Sequence, residues 1–446
     1  MKGVWFLTLL ALLVACSGGG GSSPAPAQNT NVSASPVIGG NPVGVGVNFW
    51  LDELFPTKTF SGMRSQIHSA TSVTARTANL INCAVRVQTN ASCNFNTIPL
   101  IGMEHSSPTV DQIMDRVLVS HDWMATRMRQ ILESMPAETL LMTRGISAIV
   151  ISFDIRPSFY FPITSAIYID PNTLWLSDAE FATIDPTPDF RSSFGGELQF
   201  TMPWRYVAPG DQDIRSLDRD LYSVTLRTTS LFYHELAHAN DYFYPASLVT
   251  INRNTPIQNL SVTPRSSQLS STYPLQSELM FSLADISFGG ASATVAQAAL
   301  TADDVAFEFP ADVANDFYNF YTQREDFAMV FEEAMMLYSY GVDRDVAVTN
   351  LPQTSNACAD YVVAWGQRNR VSDSSIKPRA LFAVEALLPE VVSDVEGVLN
   401  SYSPLQMRVG EDFCSNIFFG ANSARALVRS KQQAKSLPPQ TLLPYQ

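Results

Sequence analysis

The chain has 446 residues, of which 46% are hydrophobic, so it can bury a sizeable core and is not a disordered protein. Its 28 lysines and arginines are outnumbered by 42 aspartates and glutamates, giving a net charge of −14. That charge argues against a nucleic-acid partner, because few basic groups are present to displace phosphate counterions, and it is compatible with a soluble, exported body.

The N-terminal segment, residues 1–16, is predicted to be a secretory signal peptide. "MKGVWFLTLLALLVAC" opens with a lysine and continues into an apolar run that is too short to cross a bilayer as a stable helix. Its last four residues resemble the lipobox of bacterial lipoproteins, which implies that Cys16 is lipidated and becomes the first residue of the mature chain. Ser17, rather than Asp, follows it, and by the same resemblance the protein is anchored in the outer membrane. The alternative is an ordinary signal peptide in which the cysteine is incidental.

Cysteine usage fits an exported protein. The chain has five cysteines, an odd number, and lipidation of Cys16 leaves four that can form disulfides. Four cysteines allow three pairings. The short spacing in "CAVRVQTNASC" favours a Cys83–Cys93 bridge, and a Cys358–Cys414 bridge then follows by elimination.

Composition divides the mature chain into three parts. Residues 17–45 are rich in Gly, Ser, Pro and Asn and are predicted to form a flexible tether. The folded body is predicted to span 46–432, and a polar tail occupies 433–446. Within the body, 245–308 is rich in Ser, Thr, Asn and Gln and is predicted to be an insertion with little regular structure at its start.

Hydrophobic periodicity predicts an α+β body. The predicted elements, in chain order, are a helix over 109–135, a buried strand over 146–155, a strand–turn–strand over 166–176, a weaker strand within 197–207, a helix over 213–243, and a mainly helical C-terminal half beyond 310.

The predicted helix 213–243 carries the pentad "HELAH". His234 and His238 stand four residues apart, so on a helix both imidazoles face one side and can bind one metal ion. Glu235 lies beside that metal position, where it can act as a general base. Asp241 lies on the same face and can accept the remaining N–H of a ligating imidazole. The alternatives are a helix that merely contains these residues, and a surface acid at its end; the scarcity of histidine, five in the chain, favours a site.

A third metal ligand has to be a carboxylate, because no histidine follows His238. Glu325 is the preferred candidate, since an apolar stripe at helical spacing follows it and could pack on the motif helix. The alternative is that Thr322 and Glu325 form a T-x-x-E capping box at a helix start. Glu332 and Glu333, further along, are interpreted as acids on the helix surface.

"HELAHAND" and "EDFAMVFEEAMM" together resemble the gluzincin metalloproteases, and most closely the subgroup that includes anthrax lethal factor. The resemblance implies a zincin-like core, a small sheet with an active-site helix, and one Zn²⁺ per chain. It implies that His234, His238 and Glu325 are the zinc ligands and that Glu235 is the general base. It also implies that Tyr318, seven residues before Glu325, assists the transition state; Tyr321 is the alternative donor.

These observations predict an exported, lipid-anchored zinc metalloendopeptidase that hydrolyses peptide bonds with zinc-activated water. Its expected partners are a peptide or protein substrate and, through the lipid, a membrane; we expect a monomer. "SAIYID" or "LWLSD" is the candidate edge strand for an extended peptide, with a plain core strand as the alternative. Two other functions stay open: a non-catalytic surface lipoprotein with a zincin fold for binding or adhesion, and a zinc hydrolase of a non-peptide amide.

Overall fold

A computed structural model describes four stretches of the chain: residues 66–86, 92–259, 262–352 and 357–418. The predicted signal peptide with Cys16, the tether and the polar tail lie outside these residues. All described residues belong to one compact unit that spans residues 36–446. Across the described stretches, no helix combines the length and the apolar character needed to cross a membrane.

The described residues form an α+β body with eleven strands and fourteen α-helices. The strands are β1 His68–Ser69, β2 Val117–Val119, β3 Ala148–Ile151, β4 Phe159–Phe161, β5 Ala166–Ile169, β6 Phe200–Thr201, β7 Trp204–Ala208, β8 Gln212–Asp213, β9 Asp343–Asn350, β10 Val363–Arg368 and β11 Leu405–Gln406. The helices are α1 Ala75–Leu80, α2 Ile101–Glu104, α3 Val110–Met114, α4 Asp122–Ser134, α5 Ala137–Met142, α6 Asp178–Phe181, α7 Leu221–Tyr242, α8 Arg265–Thr272, α9 Glu278–Gly289, α10 Val295–Ala298, α11 Ala302–Glu308, α12 Gln323–Tyr340, α13 Lys377–Leu387 and α14 Val392–Ser401.

The first sheet has the order β1-β2-β3-β5-β4. Its centre is parallel, with β3 between β2 and β5, and every residue of β3 is buried, as expected for a strand covered on both faces. The edge strand β4 runs antiparallel to β5. The predicted strand at 146–155 is confirmed in a shorter form, as β3.

Two predictions for this sheet are wrong. The single helix over 109–135 is interrupted by β2, because the run Val117-Leu118-Val119 pairs in parallel with β3. An apolar run as short as this does not reveal by itself whether it is helix or strand. In 166–176 only the first strand exists, as β5; the chain then enters a 3₁₀ turn at Pro171–Thr173 and forms no second strand. The antiparallel partner of β5 is β4, which precedes it and was not predicted.

The second sheet is antiparallel, with the order β11-β10-β9-β7-β8 and β6 paired to β9. The prediction of a mainly helical C-terminal half missed β9 and β10. Strand β9 is hard to predict from its sequence because it contains buried charged residues. One of them, Asp345, accepts hydrogen bonds from Arg205 at 2.8 Å and from Arg368 at 2.6 Å. A charge inside a strand is tolerated when it is paired in this way.

Two long helices, α7 and α12, lie against each other in the main core, where Tyr233 and Phe331 meet edge to face with ring centroids 6.0 Å apart. Asp220 caps α7 by accepting the N–H of Ser223. Gly341, with φ of 61°, ends α12 in the left-handed conformation that glycine adopts without penalty. The region 245–308 begins with two 3₁₀ turns and continues as helices α8 to α11.

Both expected cysteine pairs lie at disulfide distance. The Cα atoms of Cys83 and Cys93 are 5.6 Å apart, and those of Cys358 and Cys414 are 5.8 Å apart. Disulfides form and persist in oxidising compartments, so the two pairs indicate an exported or otherwise oxidising environment.

Candidate metal centre

Three side chains from α7 and α12 converge in the core. His234 Nε2 lies 3.0 Å from Glu325 Oε2 and 3.2 Å from His238 Nε2. His238 Nε2 lies 3.3 Å from the same carboxylate oxygen. All three residues are buried. The group could hold a metal ion.

Local structure explains how the three ligand atoms meet. The two histidines share one face of α7 because they are one helical turn apart. Glu325 lies in the first turn of α12, which begins after Thr322. The Thr322 hydroxyl accepts the backbone N–H of Glu325 at 3.2 Å, so Thr322 caps the helix, but the Glu325 side chain does not complete a capping box. The Glu325 carboxylate, however, is directed at the histidines.

The triangle of ligand atoms fits a four-coordinate cation. Ligands about 2.0–2.1 Å from a tetrahedral ion stand roughly 3.3 Å from each other, close to the three observed separations. Two imidazole nitrogens and a carboxylate oxygen face one point, and each can offer a lone pair to a cation that displaces the imidazole protons. The set is one that zinc and other first-row transition metals accept.

The interactions within the centre favour the charged forms of His234 and Glu325. Burial lowers the pKa of His234, but the hydrogen bonds to Glu325 and Glu332 outweigh it and raise the pKa to about 10. Burial raises the pKa of Glu325, but the charge of His238 and the hydrogen bonds of both histidines lower it to about 2. The two shifts describe one interaction seen from both partners: the carboxylate stays ionised beside a positive centre.

Glu332 is a member of the site that sequence reasoning missed. Its Oε2 lies 3.3 Å from His234 Nδ1, and its Oε1 accepts hydrogen bonds from Tyr206 at 2.7 Å and Ser230 at 2.8 Å. The interpretation of Glu332 and Glu333 as surface acids is wrong, because both are buried. The available signal was spacing: Glu332 follows Glu325 by seven residues, so on α12 the two share a face.

Glu235 combines burial with an unsatisfied carboxylate. Its Oε2 has no hydrogen-bond partner among the described residues, although the side chain is only 4% exposed. Burial raises its pKa, and the charges of His234 and His238 act in the opposite direction. A buried polar atom without a partner is uncommon in a folded protein and often marks a functional position.

The edge strand of the first sheet faces Glu235. The backbone of Tyr160, which is the central residue of β4, lies near enough to the Glu235 carboxylate to act against the rise in its pKa. Neither predicted candidate holds this position. "SAIYID" forms β5, which lies inside the sheet between β3 and β4, and "LWLSD" forms no strand.

Tyr318 lies next to His234, with their rings nearly parallel and centroids 6.1 Å apart. It belongs to a 3₁₀ turn, Phe317–Phe320, that is separate from α12. The Tyr321 ring stacks on the Tyr318 ring, with the two centroids 5.8 Å apart. Burial raises the pKa of Tyr318 well above its ordinary value and Glu325 adds to the effect, so the phenol retains its proton.

Asp241 does not have the expected contact. It is buried, but its carboxylate accepts the backbone N–H and the hydroxyl of Ser266 at 2.6 and 2.7 Å, at the start of α8. His238 Nδ1 has no hydrogen-bond partner in the described stretches. Glu332, and not Asp241, is therefore the carboxylate that contacts the Nδ1 atom of a candidate ligand histidine, His234. Asp241 instead links α7 to α8.

An apolar cavity of about 200 Å³ lies beside the Tyr318 turn. Its apolar wall includes Phe194, Leu198, Phe200, Met202, Phe288 and Phe317. Phe288 also touches Tyr318 edge to face, with centroids 4.7 Å apart. One layer of aromatic rings thus separates the cavity from Tyr318.

In comparisons with protein-family models, with curated proteins and with solved structures, the chain matches none of them. What the protein does has to be argued from the site itself: a buried His/His/Glu group that could hold a metal ion, with an unpartnered glutamate oxygen and a tyrosine beside it.

Proposed function

We propose that the protein is a zinc-dependent metalloendopeptidase of the gluzincin type. The observation that carries the proposal is the convergence of His234, His238 and Glu325, with the unpartnered carboxylate oxygen of Glu235 beside them. Zinc suits this set because it accepts two imidazoles and a carboxylate and leaves a fourth position for water or substrate.

The chain's own residues divide the chemistry between them. Zinc held by His234, His238 and Glu325 would supply a Lewis acid that lowers the pKa of water toward about 7 and polarises a carbonyl. The Glu235 carboxylate would accept a proton from the attacking water and pass it to the departing amine. The Tyr318 hydroxyl donates a hydrogen bond to the carbonyl oxygen as negative charge develops there. With a metal bound, His234 would be neutral, and Glu332 would hold its remaining proton on Nδ1 and leave Nε2 as the ligand atom.

The surroundings of the centre suit a peptide with a large apolar side chain. Strand β4 is an edge strand, so an extended peptide could pair with it and bring its carbonyl toward Glu235. A cavity of about 150 Å³ with an apolar wall binds benzene, so the one beside Tyr318 is large enough for a phenyl or leucyl group. We expect peptides with Phe or Leu near the scissile bond to be cleaved faster than their Ala counterparts. Phe194→Ala should weaken that preference; an unchanged preference would argue against this substrate assignment.

The deciding experiment measures metal content and cleavage on the same samples. Wild type, loaded with zinc and freed of excess, should contain one zinc per chain and cleave a panel of denatured proteins. Glu235→Gln should keep the metal and lose cleavage, because the side chain is a base and not a ligand. Absence of zinc from the loaded wild type would refute the proposal. Cleavage of small amides but of no peptide bond would favour the non-peptide hydrolase.

The rival function is a non-catalytic surface lipoprotein that keeps the fold for binding or adhesion. Glu235 argues against it, because a binding protein has no need for a buried acid beside its metal. Zinc retention without cleavage of any panel member would favour it.

The proposed location is the bacterial outer membrane, through a lipid on Cys16. Labelled fatty acid should enter the wild-type chain and not Cys16→Ser. Labelling of both chains, or of neither, would contradict the anchor.

A further inference from the structure

The turn that carries Tyr318 is capped by the carboxylate of Asp316. Asp316 precedes the turn, and its Oδ1 accepts the backbone N–H of Tyr318 at 3.0 Å. The backbone N–H of Asp316 donates in return to the Asn319 side chain at 2.9 Å. Asp316 therefore sets where the turn begins, and with it the height of the Tyr318 ring over His234.

The other oxygen of Asp316 binds a fully buried arginine. Arg344 donates from Nη2 to Asp316 Oδ2 at 2.7 Å and from Nε at 3.3 Å. The guanidinium lies over the Trp204 ring, 4.0 Å from its centroid. An arginine keeps its charge in proteins, and its planar fork accepts few orientations, so these contacts leave it little freedom.

The same guanidinium reaches the carboxylate behind His234. Arg344 Nη1 lies 3.6 Å from Glu332 Oε1, an ion-pair distance that exceeds a hydrogen bond. The other oxygen of Glu332 faces His234 Nδ1. One buried cation therefore contacts two carboxylates that both act on His234: Glu332 directly at Nδ1, and Asp316 through the turn that stacks Tyr318 on the ring.

We propose that Arg344 is a positioning residue that sets Tyr318 against His234, acting through Asp316. A buried ion pair adds little stability compared with an apolar replacement. Stability therefore explains the buried Arg344–Asp316 pair less well than a role in positioning Tyr318 does. The catalytic part of this inference rests on the proposed function, because Tyr318 matters for rate only if the oxyanion forms beside it. The geometric part does not depend on activity.

Asp316→Asn is the sharpest perturbation. Asparagine caps a turn about as well as aspartate and has nearly the same volume, so the turn can form while the charge facing Arg344 is lost. We expect kcat to fall about tenfold, less than if the hydroxyl were removed, with KM and zinc affinity within twofold of wild type. Arg344→Lys keeps the positive charge but loses the planar guanidinium group, and it should lower kcat by a similar factor.

A double-mutant cycle separates positioning from general destabilisation. If Asp316 acts through the tyrosine hydroxyl, Asp316→Asn should have no further effect on kcat once Tyr318→Phe is present. Equal losses of kcat in both backgrounds would overturn the proposal.

Asp170→Asn is the matched control. Asp170 is also buried, also caps a 3₁₀ turn, through Asn172 at 2.8 Å, and also pairs with an arginine, Arg156 at 2.9 Å. It does not contact the Tyr318 turn, so its substitution should leave kcat unchanged. A loss equal to that of Asp316→Asn would overturn the proposal.

A readout without activity uses the metal-free protein. With ¹³C-labelled tyrosine, the Tyr318 signal is assigned by its disappearance in Tyr318→Phe. We expect Asp316→Asn to shift or broaden this signal, and Asp170→Asn to leave it in place. An unmoved signal in Asp316→Asn would overturn the positioning role. An inactive wild type with a moved signal would instead overturn the proposed function and leave the geometric inference standing.

Discussion

Replacing Glu332 by glutamine tests whether the carboxylate behind His234 prepares it as a ligand. Two hydroxyls, those of Tyr206 and Ser230, donate to Glu332 Oε1. The Arg344 cation, 3.6 Å from the same oxygen, favours a glutamine that keeps its oxygen there, and this directs its NH₂ group at His234 Nδ1. Two donors then face each other at about the present 3.3 Å separation.

The neutral imidazole that metal binding requires can escape that conflict only by moving its proton. With the proton on Nε2, His234 Nδ1 becomes an acceptor for the new amide, but the lone pair that faces Glu325 and His238 is lost. Metal binding then has to restore the less favourable tautomer. Loss of a partner of this kind typically lowers metal affinity 10–100-fold, which corresponds to about 1.4–2.7 kcal/mol.

The assay is competition for zinc with a chromophoric chelator at neutral pH, on protein shown by circular dichroism to be folded. Glu333→Gln is the control. Glu333 is the neighbouring buried acid, but its carboxylate accepts from Asn315 at 2.7 Å and from Val371 at 3.2 Å, away from His234. Zinc affinity should therefore fall in Glu332→Gln alone. Equal affinity in Glu332→Gln and wild type, or an equal loss in both variants, would refute the reasoning.

Three further predictions follow from the described contacts. Glu325→Ala should weaken zinc binding more than any other single acid substitution, as measured by the same competition, because it removes a ligand atom. Tyr318→Phe should lower kcat roughly 10–1000-fold in steady-state assays while KM and zinc content stay nearly constant, because the lost hydrogen bond exists only near the transition state. Replacing Cys358 and Cys414 by serine should lower the free energy of unfolding by about 4 kcal/mol in denaturant titrations, since the bridge closes a long loop.

Each of these three predictions has a control variant in the same chain. Glu278→Ala, outside the cluster, should bind zinc like wild type; matching affinities in Glu278→Ala and Glu325→Ala would give the role to another acid. A collapse of kcat in Tyr321→Phe with normal kcat in Tyr318→Phe would move the donor three residues along. Loss of the Cys83–Cys93 bridge, which spans only 10 residues, should cost about 3 kcal/mol, less than loss of the longer bridge. The reverse order would contradict the loop-entropy argument.

The amino-acid sequence alone predicted those features of the structure that depend on residues close together in the chain. The spacing of His234 and His238 places both imidazoles on one face of any helix, so their juxtaposition in α7 was predictable. The short interval between Cys83 and Cys93 likewise limits their partners. The apolar run in β3 could be identified as a buried strand because all its residues are apolar or β-branched.

Only the tertiary structure decided which acids and which strand complete the site. The sequence favoured Glu325 as a ligand but indicated no role for Glu332; the packing of α12 against α7 brings both to His234, which precedes them by 91 and 98 residues. Asp241 satisfies the spacing rule for a partner of an imidazole, yet the start of α8 takes its carboxylate. Strand β4 acquires its edge position by pairing with β5, not by its own pattern. The physical reason is that hydrogen bonds and ion pairs are decided by which groups packing brings within about 3 Å of each other, and local sequence does not encode that distance.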